Sequence, residues 1–249
     1  MQPVLFEIGS VEVYAWGTML AIAVIIGITG VRKLFEKEGL DKEIVIDMVI
    51  VMVVAGIIGS RLGYILLYEL DTFLENPLMF FYLSSGGLIW YGALIFGFLA
   101  FLFFIIRKGL DFWKTADIFA PFVALGYAIV RIGCFLNGCC YGEVTESALG
   151  VVFPFVDNLL RHPTQLYATV LNLILFLFLI WFYPRRRFSG QVFLLYLIGY
   201  SIYRFTVDFY RFNLIEYGIL SLGHIYVILM FVVVVGVYYV KSIRHKEGD

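Results

Sequence analysis

Seven stretches of roughly 20 apolar residues, each long enough to cross the hydrocarbon of a bilayer as a helix, begin near Val13, Ile44, Leu88, Ala116, Pro163, Gln191 and Leu222. With 62% hydrophobic and 15% charged residues, the 249-residue chain lacks the polar surface that a water-soluble domain needs. A membrane β-barrel would alternate polar and apolar residues over segments of about 10, and no such alternation is present. The expected fold is therefore an all-α integral membrane protein, a polytopic bundle of seven transmembrane helices forming a single membrane domain over residues 1–249. Neither a repeat nor a soluble domain interrupts it.

Charge gives the orientation, because basic residues accumulate in cytoplasmic loops. Residues 1–12 carry Glu7 and Glu12 and no basic side chain, so they lack the positive start of a cleaved signal peptide and suit an external N-terminus. Arg32, Lys33, Lys37 and Lys42 follow the first stretch, Arg107, Lys108 and Lys114 the third, Arg185 to Arg187 the fifth, and Lys241, Arg244 and Lys246 the last. That alternation places the C-terminus in the cytoplasm. On the outer side it leaves an arm at about 69–87, rich in acids and aromatics, and a head segment at about 135–162. Basic residues sorted by side in this way form no nucleic-acid patch.

Five basic residues break the rule, and all are arginines: Arg61, Arg131, Arg161, Arg204 and Arg211. A charge near or within a membrane span is costly and by default marks function; a planar guanidinium suits phosphate or carboxylate. Arg204, Asp208 and Arg211 are spaced i, i+4, i+7 and share one helical face, with one acid for two cations. The plain alternative is an ion-pair network that joins helices. Arg131 opens RIGCFLNGCCYG (Arg131 to Gly142), where Gly133 and Gly138 are expected to break the helix and the glycine-rich turn to offer backbone N–H groups. A tight packing turn is the plain alternative there.

All three cysteines fall in that run. Cys134, Cys139 and Cys140 lack the paired C-x2-C spacing of a structural zinc site, so no metal is assigned and the thiols are expected to be free and to pack as small hydrophobes. His162 to Tyr167 (HPTQLY) opens the fifth stretch, with a proline suited to helix entry. Tyr91, between Gly87 and Gly92, fits either an interfacial aromatic belt or a ligand contact.

Read together and in order, GSRLGYILLY (Gly59 to Tyr68), SSGGLIWYGALIFG (Ser84 to Gly97), ADIFAP (Ala116 to Pro121), RIGCFLNGCCYG, HPTQLY and YRFTVDFYR (Tyr203 to Arg211) resemble the prolipoprotein diacylglyceryl transferase family. The resemblance implies a multi-pass enzyme of the bacterial inner membrane with seven spans. It would move the diacylglyceryl group of phosphatidylglycerol onto the lipobox cysteine thiol of a preprolipoprotein signal peptide, releasing glycerol 1-phosphate without a cofactor or metal.

By position in the motifs, Arg131 resembles the family's phosphatidylglycerol-binding arginine and Arg204 its essential arginine near the headgroup. The resemblance gives Asn137, Gly138 and Gly142 the shaping of the turn around the lipid. Asp208, with Arg211, would position Arg204, and Asp117 would buttress the fourth span, with His162 and Gln165 in support. Tyr91 stands where some members carry a histidine proposed as base. A phenol with an ordinary pKa of about 10 is a poor base at neutral pH, so Tyr91 is expected to hydrogen-bond the ligand. Cys134 replaces an asparagine of some members and is not the nucleophile, which belongs to the substrate. A lipid or anion transporter using the same arginines is the alternative, although repeat symmetry and a polar path through both leaflets are missing.

Overall fold

A computed structural model of the chain describes residues 1–9, 11–82, 86–211, 216–217 and 220–247; within the arm, Leu83 and the Ser84 and Ser85 of the SSGG motif lie outside these. The chain is mostly helical and divides into two compact units, one of Met1–Val31 with Ala116–Asp249 and one of Arg32–Thr115.

The larger unit opens with an antiparallel hairpin, β1 (Val4–Ile8) and β2 (Val11–Tyr14), which leads into α1 (Ala15–Lys37). Its other long helices are α5 (Phe112–Leu136), α6 (Thr164–Phe182), α7 (Gln191–Asp208) and α8 (Leu222–Glu247). The hairpin, and two short ones, β3 (Val151–Val152) with β4 (Leu160–Arg161) and β5 (Glu216–Tyr217) with β6 (Leu220–Ser221), are strands that hydropathy alone did not reveal.

Helix α5 runs straight through Gly133, where a break was expected. The glycine serves packing instead: a Cβ there would stand 3.0 Å from Trp16 Cα and 3.1 Å from Met19 Cβ, so it lets α1 approach closely, as small residues do between membrane helices. The helix ends at Leu136 and the chain turns away at Gly138, whose φ of +72° is open to glycine without strain. The turn satisfies the terminal carbonyls through Asn137 N–H to Gly133 O (2.9 Å) and Cys139 N–H to Cys134 O (3.1 Å).

Asp117 on α5, 0% exposed, accepts hydrogen bonds from the backbone N–H groups of Gly190 and Phe193, both at 2.8 Å. These belong to the first turn of α7, where N–H groups lack helical partners and a carboxylate is favoured. Arg186 Nε stands 3.8 Å away. Asp117 thus fastens α5 to α7, a tighter role than the support of one span.

In the smaller unit α2 (Ile44–Tyr68) packs on α4 (Trp90–Lys108) where Gly59 faces Gly92; a Cβ on either would overlap the other's carbonyl oxygen. Between them lie α3 (Leu70–Glu75) and a 3-10 turn (Pro77–Phe81). Arg61, only 3% exposed, donates to the carbonyls of Met79 (2.6 Å), Gly86 (2.8 Å), Phe80 and Gly87 (3.3 Å each). Its donors are committed to pinning the arm. Arg61 therefore leaves the set of anion-binding candidates.

Helices α1, α2, α4, α5, α6 and α8 are each long and apolar enough to span a bilayer. They expose large apolar side chains such as Leu67 (68%) and Ile106 (79%), which suits lipid and not water. Helix α7 differs: within 18 residues it carries Gln191, Ser201, Arg204, Thr206 and Asp208, and these dilute its hydropathy.

Candidate active site

Three of the five exceptional arginines meet in one place. A small cleft in the larger unit, with a cavity volume of about 10 Å³, is lined by Arg131 of α5, Arg204 of α7 and Arg211 just beyond it, together with Tyr127, Cys140, Thr164, Ala168, Tyr203 and Val207. The fifth, Arg161, does not contribute. It is held by Asp157 at 2.6 Å and lies over the Tyr141 ring, its guanidinium carbon 5.2 Å from the centroid.

Arg204 and Asp208 pair across one helical turn as their spacing predicts, whereas Arg211, expected on the same helical face, lies past the end of α7 and reaches Asp208 from there. Asp208, 1% exposed, sits 3.0 Å from Arg204 Nη2 and 3.9 Å from Arg211 Nη1. A carboxylate buried that deeply is tolerable only with cationic partners, and it fixes Arg204 against the helix. Arg211 stands outside the helix. Burial first, then the neighbouring Arg204 and Arg131 charges, pull its pKa below the ordinary arginine value, as expected where cations share a small volume.

Arg131 has a different partner. Its guanidinium donates a short hydrogen bond to the Tyr127 hydroxyl and lies over the same ring, 4.7 Å from the centroid. Among the described residues it makes no ion pair with a carboxylate. The phenol holds the cation by face and edge without neutralising it. Tyr127 itself packs on Tyr200 and Tyr203, so an aromatic wall sets the position of Arg131.

The turn after α5 closes the pocket. Thr164 Oγ1 donates to the carbonyl of Cys140 (2.8 Å) and Gln165 Nε2 to that of Cys139 (2.6 Å), so HPTQLY acts as a clamp on the turn. Gln165 Oε1 has no hydrogen-bond partner among the described residues. His162 points its Nδ1 at the Tyr167 hydroxyl (3.0 Å) and stacks edge-on with Tyr210, which makes it a strut beside the pocket and not a lining residue.

Gly142 forms a β-bridge with Arg211. A side chain there would strike the Tyr210 carbonyl, so only glycine lets the head segment cross close enough to hold the Arg211 backbone. Asn137 and Gly138 do not line the pocket; they make the turn that delivers Cys139 and Cys140. Tyr91 belongs to the smaller unit, on the first turn of α4 with its side chain exposed (67%).

Sequence reasoning missed Tyr127, Thr164 and Tyr203 as lining groups. Tyr127 had a signal, one helical turn before Arg131. Thr164 and Tyr203 lay inside motifs already singled out, but their contacts depend on tertiary packing.

The sulfur atoms of Cys134, Cys139 and Cys140 all lie within 4.8 Å of one another, a proximity the C-x4-C-C spacing conceals. Hydrogen bonds from the Cys134 and Cys139 thiols, reinforced by the charges of Arg131 and Arg211, hold the Cys140 thiol below its ordinary pKa.

The family model described as prolipoprotein diacylglyceryl transferase matches residues 3–240. A curated relative from Clostridium tetani (strain Massachusetts / E88), named phosphatidylglycerol–prolipoprotein diacylglyceryl transferase, is 37% identical over 215 residues, covering 85% of this chain and 86% of its own. Relatives with the same name from Geobacter sulfurreducens (strain ATCC 51573 / DSM 12127 / PCA) and Vibrio vulnificus (strain CMCP6) are 35% and 34% identical, covering 89% and 85% of this chain and 86% and 79% of theirs. On that match across nearly its whole length, the chain belongs to the prolipoprotein diacylglyceryl transferase family.

Proposed function

We propose that the chain transfers the diacylglyceryl group of phosphatidylglycerol to the lipobox cysteine of a preprolipoprotein signal peptide in the bacterial inner membrane. Helix α7 crosses the membrane beside the six apolar helices, as the sixth of seven spans in chain order; the N-terminus faces outward and the C-terminus the cytoplasm, and the whole chain serves as one membrane domain.

The reaction is a displacement at carbon. The substrate sulfur forms a bond to the terminal glyceryl carbon of the lipid as the bond from that carbon to the phosphate oxygen breaks, and glycerol 1-phosphate departs with the negative charge. Its demands are a thiolate and a stabilised phosphate. Arg131 and Arg204 meet the second through charge-assisted, fork-shaped hydrogen bonds, with Tyr127 positioning Arg131, Asp208 with Arg211 positioning Arg204, and the Gly142 crossing holding Arg211. The same positive field lowers the pKa of a thiol brought to the pocket edge. Asn137 and Gly138 shape the turn beside the lipid, Gln165 and His162 brace it, and Tyr91 hydrogen-bonds the substrate.

One observation carries this reading: Arg131 shares a pocket with Arg204 and Arg211, and its own partner is a neutral phenol. A guanidinium held without a counter-charge near lipid is poised for an anion from elsewhere. Purified protein incubated with phosphatidylglycerol and a lipobox peptide tests it, with the expected product a peptide whose cysteine carries a thioether-linked diacylglyceryl group by mass spectrometry. Movement of lipid between leaflets without that product would instead indicate a transporter.

A further inference from the structure

We propose that Cys134, Cys139 and Cys140 form a site for one soft, thiophilic d10 cation, of the copper(I) and silver(I) class, at the edge of the arginine pocket. The three sulfurs lie within 4.8 Å of one another. Three thiolates bound in a plane around one ion at about 2.3 Å stand about 4.0 Å apart, so side-chain rotations of less than an ångström complete the site.

The backbone is already set for this arrangement. The turn after Leu136 folds Cys139 back over Cys134 through its N–H bond to the Cys134 carbonyl, and Gln165 and Thr164 clamp the carbonyls of Cys139 and Cys140. Cys140 has a φ of 64°, a left-handed conformation that costs a non-glycine residue about 1 kcal/mol or more and persists only where its surroundings enforce it. Here it brings the third sulfur to the other two.

Ligand type and number narrow the class of ion. Among the described residues no histidine or carboxylate joins the cluster, so the fourth ligand of a closed structural zinc site is not supplied. An all-sulfur, three-ligand set selects soft monovalent ions. Binding requires the thiols to release their protons. The three thiolates and a monovalent cation then carry two negative charges, which Arg131 and Arg211, lining the same pocket as Cys140, are placed to balance.

Copper(I), added anaerobically as its acetonitrile complex to the reduced full-length protein in detergent, against bicinchoninate as a coloured competitor, tests the site. One ion per chain is expected to be withheld from the competitor, with at least about a hundredfold loss of affinity for Cys139→Ser or Cys140→Ser, since each removes a third of the donor set. A second measurement needs no variant: copper loading should protect all three cysteines of the unmodified protein from iodoacetamide, read peptide by peptide. A protein that withholds no ion, or whose cysteines remain equally reactive when loaded, would overturn the proposal. Because Cys140 borders the arginine pocket, loading should also raise the KM for phosphatidylglycerol. That coupling rests on the headgroup reading of the pocket, and an unchanged KM with one ion bound would overturn the coupling and not the site.

Discussion

Arg131 rests on Tyr127, one helical turn before it on α5, with its guanidinium carbon 4.7 Å from the ring centroid and a hydrogen bond to the hydroxyl. The ring fixes where the cation points and leaves its charge available. Tyr127→Phe keeps the face and loses the hydrogen bond, and kcat/KM should fall about tenfold, the equivalent of one charge-assisted bond. Tyr127→Leu loses both contacts and should cost a further factor of about ten. Steady-state kinetics with phosphatidylglycerol at varied concentration would show the loss; equal activity in both variants would mean that the aromatic wall does not position Arg131.

Arg61 and Arg131 make opposite predictions although both are arginines set within long apolar helices. Arg61→Ala strands four carbonyls that its guanidinium now satisfies. Stability should drop by about 3 kcal/mol or more, with the arm becoming accessible to protease. Arg131→Ala strands no buried carbonyl. Its melting temperature in detergent should stay within about 3 °C of the parent, while kcat/KM falls by about a hundredfold or more. Lysine at 131 should rescue poorly, since it lacks the planar fork. Thermal melts and transfer assays on the same preparations distinguish the two behaviours.

The apolar stretches were legible because a bilayer demands length and hydropathy and little else, so every long helix falls where the sequence placed it. The Arg204–Asp208 pair was legible because its geometry is internal to one helix, and Arg211 reaches the same carboxylate from just beyond the helix end. What could not be read was convergence between segments. Counting charges singled out Arg61 and Arg161 but did not show that Met79, Gly86 and Asp157 occupy them. The C-x4-C-C spacing likewise gave no hint of a sulfur triangle, because the fold-back after α5 that creates it depends on Gly138 and on clamps from α6.

Asp117 joins the helices that carry Arg131 and Arg204, so its loss should show in both stability and catalysis. Asp117→Asn can accept only one of the two N–H bonds from Gly190 and Phe193, and it directs an amide at the other. A destabilisation of about 1–3 kcal/mol is expected, with a lower kcat because the two arginines lose a common frame. A melting temperature equal to the parent's would show that the carboxylate does not tie α7 to α5.

The pH dependence of Cys140 alkylation reports the field at the pocket edge. A lowered pKa means that the thiolate persists as pH falls, so the rate with iodoacetamide should stay high below the midpoint of about 8.5 expected for a free cysteine. Removing a neighbouring cation with Arg211→Gln removes part of that stabilisation and should move the midpoint upward. Rates followed on the Cys140 peptide between mildly acidic and alkaline pH test this; an unshifted profile in both proteins would show that the arginines do not act on sulfur.

The most direct measurement is a structure of the protein with phosphatidylglycerol bound. The account predicts the lipid phosphate inside the pocket, its oxygens within about 3 Å of guanidinium nitrogens of both Arg131 and Arg204. A lipid whose phosphate lies outside the pocket, with Arg131 still closed on Tyr127 and Arg204 on Asp208 alone, would contradict it.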